Sequence, residues 1–198
     1  PVNFFDMILG SAISSALIPV YNKFIKQDGM KRANLFASRF LNLIIIATAI
    51  LSVFGVVFSR QIIYVMGSKL DSETAELASQ LLKIMFPLVI FTGMAFTLVG
   101  ILQSLGEFRI PAVMSLISNT VCILYLLTVN DKFGIYGLSY ALLIGWMMQF
   151  LILVYPAKKR GFAYSLCAGV RDEGIKDVVR LALPVLLATW VQPINTMV

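Results

Sequence analysis

The stretch Gly10–Val20 reads GSAISSALIPV, apolar enough for a membrane span yet carrying three serines and a proline. On a helix, Ser11, Ser14, Ser15, Ile18 and Asn22 fall at i, i+3, i+4, i+7 and i+11, so they form one polar stripe. Pro19 has no N–H to give, and the carbonyl of Ser15 loses its intrahelical partner at that same stripe. In hydrocarbon, a freed carbonyl and a row of hydroxyls must face protein or water. The stripe therefore predicts a membrane helix with one polar side. The remaining chain reads as further helices gathered around it.

Composition supports that reading. The chain is 59% hydrophobic and 13% charged, against roughly 45–50% and about 25% in soluble domains. Several apolar runs exceed the roughly 20 residues needed to cross a bilayer core. The expected class is all-α, a polytopic transmembrane helix bundle. Six spans are expected, at about 3–25, 33–58, 74–104, 111–129, 134–156 and 181–198. Pro87 lies where the third turns from amphipathic (SETAELASQLLK) to apolar, and predicts a kink. Residues 161–180 are too polar to cross; Asp172 is placed to cap a helix there, bringing Lys176 and Arg180 together. Three units result: a first bundle over 1–160, an amphipathic connector over 161–180, and the first helix of a second bundle over 181–198. The connector is a natural hinge between them. Pro1 enters a span almost at once and Val198 falls inside an apolar run, so both ends are expected to be internal to a longer protein.

Charge sets the expected orientation. Twelve Lys and Arg residues (Lys23, Lys26, Lys31, Arg32 and Arg39; Arg109; Lys158, Lys159, Arg160, Arg171, Lys176 and Arg180) fall on one side of the spans, and four on the other. The positive-inside rule puts the richer side in the cytoplasm. The net charge of +6 is explained by such flanks and by anionic lipid, so nucleic acid is not an expected partner. Histidine is absent, no phosphate-cradling G-x-x-x-x-G-K-[ST] occurs, and Cys122 and Cys167 form no spaced set. Catalytic residues, a metal site and a cofactor are therefore not expected.

The polar residues within spans have two readings each. Gly93, Thr97, Gly100 and Ser104 share a face of the third span, and Gly137, Ala141 and Gly145 share one of the fifth. Such small residues favour close helix contact. Ser115, Ser118, Asn119 and Cys122 make a face of the fourth, with Asn119 expected to bond a neighbouring helix. Gln192 and Asn195 flank Pro193, which frees the carbonyl of Thr189; broken helices with amides either line transporter sites or bond between helices. Pro184 is a second kink candidate on that span. Lys23 and Arg39 read as snorkelling anchors. Asp6 lies near the outer end of the striped helix, either at the interface or gating a path. The candidate cavity residues are thus Asp6, Ser11, Ser14, Ser15, Asn22, Gln192 and Asn195, with Pro19, Pro87, Pro184 and Pro193 as hinges.

Several stretches resemble the lipid II flippases of the MurJ (MviN) family. PVNFFDMILGSAISSALIPVYNKF (1–24) is similar to their second helix, with its A-x-S-x-A-[FL]-[IV]-P-[VI] ending, and QLLKIMFP (80–87) to their fourth. GILQSLGEFRIPAVMSLISNT (100–120), QFLILVYPAKKRGF (149–162) and LPVLLATWVQPINTMV (183–198) resemble later helices, the last through its Q-x-x-N. The likeness covers essentially the whole chain. It implies helices two to seven of a fourteen-helix, MATE-like two-lobe transporter.

By that resemblance, the protein would move a lipid-linked pyrophosphate oligosaccharide, the peptidoglycan precursor lipid II, across the bacterial cytoplasmic membrane by alternating access. Its partners would be that substrate, membrane lipids and the missing helices of the same chain. Many relatives carry arginines early in the second helix, where this chain has Phe5 and Asp6. Coupling to Na+ or to the membrane potential is left open by these residues. A polysaccharide-lipid or multidrug exporter of the same superfamily is the alternative reading. A membrane-embedded lipid-phosphate enzyme is disfavoured, because no acid pair lies mid-span to hold a metal or move a proton.

Overall fold

The computed structural model describes residues 2–66, 71–165 and 171–184, and for 2–12 and Met66 only the helix backbone. Its elements are α1 (Val2–Val57), α2 (Ser59–Met66), α3 (Ser72–Met85), α4 (Leu88–Ser104), α5 (Arg109–Thr128) and α6 (Asn130–Lys159). A further helix, α7, covers 173–184. No strand occurs among the described residues. Four helical stretches are long and apolar enough to cross a membrane: Ile13–Val57, Ser72–Ser104, Arg109–Thr128 and Asn130–Lys159. The protein is a multi-pass membrane protein of all-α class.

The first two expected spans are the two arms of α1, 2–28 and 30–57, joined at one residue. Gly29 has φ 80° and ψ 172°, a region open essentially to glycine alone. The expected loop between 25 and 33 is thus absent: Lys26–Arg32 are charged but continue the helix on both sides of that break. Pro87 does break the third span. Helix α3 ends at Met85 and α4 begins at Leu88, with the tighter bonds Val89 N–H to Phe86 O (3.1 Å) and Ile90 N–H to Pro87 O (3.2 Å) between them.

Two further boundaries differ from expectation. The fifth span does not close at Pro156, which lies buried inside α6. Gly161 (φ 100°) ends it instead: its N–H reaches Lys158 O at 3.1 Å while the N–H of Phe162 reaches Ala157 O at 3.0 Å. Those two bonds satisfy carbonyls that the helix end leaves bare. A proline in the last turn removes only one donor, so the helix runs past it. At the sixth span, residues 181–184 already belong to α7, so connector and span are one helix across position 181.

The core lies where the arms of α1 meet α4 and α6. Leu17, Tyr21, Phe36, Ala37, Leu98, Ile101, Leu102, Leu153 and Ala157 are buried there. Small residues set the spacing, as expected. A Cβ on Gly93 would come within 2.8 Å of Ile44, and one on Gly145 within 3.0 Å of the Ser118 Cα. Helix α5 packs mainly on α6 and leaves Val113, Leu116, Ile123 and Leu127 exposed, a surface suited to lipid or to further helices.

Candidate functional site

The described part of the polar stripe runs from the edge of the core to the exposed side of the first arm. Ile13, Ala16, Leu17, Val20 and Tyr21 are 0–6% exposed, whereas Ser15 and Pro19 are exposed and Ser14, Ile18 and Asn22 half-buried. This division follows from helix geometry, because the apolar and hydroxyl positions alternate with the 3.6-residue turn. Ser14 sits at the edge of the stripe, its hydroxyl 3.4 Å from Phe96 O. Of Asp6 and Ser11 only the helix backbone is described. Gln192, Pro193 and Asn195 lie outside the described residues, and Pro184 is the last described residue, helical and exposed.

One turn beyond Pro19 the stripe meets charge. Lys23 Nζ is 3.1 Å from Asp177 Oδ2 on α7, both about half exposed. Pro19, Lys23, Asp177 and Arg180 border one cleft of about 350 Å³. The sequence shows Lys23 and Arg180 far apart in the chain; α7, folded back on the first arm, brings the two cations to the end of the stripe. Lys23 is therefore not simply a snorkelling anchor. Only the tertiary fold reveals that pairing.

Arg39 departs from its expected role more strongly. Asp172 has no exposed side-chain surface and receives four hydrogen bonds. Arg32 donates through Nη1 (2.8 Å) and Nη2 (3.0 Å), Arg39 through Nη1 (2.8 Å), and the backbone of Gly174 through N–H (2.9 Å). The Gly174 bond is the helix cap expected from sequence. The arginine pair is additional: it clamps the start of α7 onto the second arm of α1. Burial pushes the Asp172 carboxyl up, but the bonds from Arg32, the Gly174 N–H and Arg39 outweigh it and hold it below its ordinary value. Arg32 also lies over the Phe24 ring, 4.5 Å from its centroid. Gly174 is required by this approach, since a Cβ would fall 2.5 Å from Phe24 and 2.7 Å from Phe36.

Two more contacts fasten the same end. Tyr21 donates to Asn34 Oδ1 (2.8 Å), and Asn34 Nδ2 donates to Gly161 O (2.8 Å), which ties both arms of α1 to the end of α6. Glu107, on the α4–α5 turn, pairs with Arg160. This basic end is consequently cross-linked, while above it Ser15 and Pro19 stay exposed and Ser14 rests against α4.

Within the spans, Gln149 was not singled out by sequence. It is 2% exposed and its Nε2 donates to Ser118 Oγ on α5 at 2.6 Å. Its Oε1 is the one buried side-chain polar atom without a partner among the described residues. Asn119, expected to bridge helices, is exposed; its neighbour Ser118 makes the contact instead. The signal for Gln149 was its isolation in the apolar run GWMMQFLILV (145–154).

A family model described as lipid II flippase MurJ matches residues 1–198. The chain is 27% identical over 203 residues to a probable lipid II flippase MurJ of Bdellovibrio bacteriovorus, covering 99% of this chain and 39% of that protein. It is 25% identical over 195 residues to the lipid II flippase MurJ of Burkholderia cenocepacia, covering 94% and 38%. Among solved structures, it matches a lipid II flippase MurJ in an inward closed conformation with TM-score 0.80 and 26% identity, over 98% of this chain and 40% of that one. The chain thus spans about two fifths of the length of these relatives.

Proposed function

The chain belongs to the lipid II flippase MurJ family, and from that premise we propose that the full-length protein moves the lipid-linked peptidoglycan precursor across the bacterial cytoplasmic membrane. The observation that carries the reading beyond family membership is the stripe. A helix with one face 0–6% exposed, Ser15 and Pro19 exposed on the other and Ser14 and Asn22 half-buried beside them is suited to present polar groups to a path. Residues 1–160 form most of one lobe, α7 the link to a second, and the stripe the wall between them. Alternating access of the lobes carries the substrate without making or breaking a covalent bond.

The residues divide the work by substrate chemistry. Ser14, Ser15 and Asn22 give hydroxyl and amide partners to a sugar headgroup. Lys23 and Arg180, at the basic end of the stripe, give charge to a pyrophosphate entering from the cytoplasm. The prenyl tail stays in lipid. Gln192 and Asn195 on the next helix, and Asp6 at the far end, are proposed to line the same path.

The test is growth. The full-length protein, expressed in a strain depleted of its own lipid II flippase, sustains division; lysis despite normal membrane insertion overturns the reading. Asp6→Asn is scored in the same strain, where reduced growth places Asp6 on the path and unchanged growth assigns it to the interface.

A further inference from the structure

Away from the stripe, the second arm of α1, α4 and α6 enclose a groove of about 620 Å³. Its walls are Leu41, Ile45, Met94, Leu98, Phe150 and Val154. No stripe residue borders it. Lys158, Phe162 and Tyr164 close its basic end, and that roof is fixed by two bonds to the second arm. Tyr164 donates its hydroxyl to Asn42 Oδ1 at 2.6 Å, and the N–H of Ser165 reaches Ser38 Oγ at 3.0 Å.

We propose that this groove holds an acyl chain of an anionic phospholipid from the cytoplasmic leaflet, with the lipid phosphate at Lys158. Three observations converge on that occupant. The walls are apolar throughout, which suits hydrocarbon and excludes a sugar or nucleotide. From Lys158 down to Phe150 the groove follows two turns of α6, about 12 Å, close to one leaflet's half of a core about 30 Å thick. The cation stands at the headgroup level of the side richer in Lys and Arg, which the positive-inside rule assigns to the cytoplasm. Lys158 has no carboxylate partner among the described residues, whereas its neighbour Arg160 is paired with Glu107. An apolar void left empty would forfeit contacts along its whole lining. A lipid chain supplies them, and an acidic headgroup answers the charge. The inference does not depend on the transport reading.

The experiment uses delipidated full-length protein titrated with dioleoyl phosphatidylglycerol or dioleoyl phosphatidylcholine, with bound lipids counted by native mass spectrometry. Phosphatidylglycerol is expected to bind preferentially. Lys158→Gln should weaken it about five-fold, the worth of one basic residue at a membrane surface. Lys159→Gln, which does not border the groove, should leave it unchanged. Met94→Trp should fill the groove and abolish the tightest binding. Should that variant fail to fold, the exposed Lys158→Gln change still decides the matter. Equal retention of the two lipids, or equal effects of the two lysine changes, overturns the proposal. Displacement of phosphatidylglycerol by undecaprenyl phosphate overturns it in favour of the substrate's own tail. Binding of neither lipid overturns it in favour of protein filling the groove.

Discussion

Asp172 concentrates more charge-assisted bonds than any other described side chain, and its behaviour is open to direct test. Asp172→Asn keeps a good helix cap but removes the charge shared by Arg32 and Arg39. Breaking a buried pair costs about 3–5 kcal/mol; the arginines are 27–30% exposed and keep some hydration, so a loss of about 2–3 kcal/mol is expected in thermal unfolding. The pH dependence follows from the depressed carboxyl. With its folded value below the unfolded one of about 3.9, Asp172 contributes its full stability above that pH and loses it as pH falls through the folded value. Unfolding temperature should therefore drop below about pH 4 more steeply in the native protein than in Asp172→Asn. At Arg180, Arg180→Gln should lower transport about ten-fold, the scale of one lost charge-assisted bond, with membrane abundance unchanged. Unaltered transport would remove Arg180 from the path.

Among the elements, α1 shows what a single position controls. Gly29 reverses the chain with no neighbour within 4 Å of an added Cβ, so Gly29→Ala tests backbone strain alone. A loss of about 1–3 kcal/mol is expected; no loss would show that the two arms do not depend on this turn. Gly174→Ala tests the opposite case, where the backbone is free and space is short. Phe24 and Phe36 must shift, and α7 should loosen by about 1–3 kcal/mol, seen as faster amide exchange over 173–184. The apolar helices up to Lys159 and the Pro87 break were legible because hydrophobic run length and proline act locally. The one-residue turn at Gly29 was not, because KQDGMKR (26–32) reads equally as a polar loop. The Asp172 cap could be read from its own turn; the Arg32 and Arg39 partners could not, since they lie 140 and 133 positions away.

On the scale of the molecule, the described helices make half of an argument about a path. Ser15 and Pro19 of the stripe are exposed, Lys23 and Arg180 border the cleft at its end, Asp172 clamps α7 to the second arm, and the chain matches about two fifths of proteins named as lipid II flippases. That Ser15 and Pro19 lie opposite Leu17 and Tyr21 could be read from their spacing alone. The cations at the stripe's end required α7 to fold back, which no local pattern encodes. The most direct measurement is the fraction of lipid II exposed on the outer face of the cytoplasmic membrane, in cells depleted of their own flippase and expressing the full-length protein. Exposure maintained near the undepleted level is the predicted result. Lipid II accumulating on the cytoplasmic face, with the protein correctly inserted, would contradict the account.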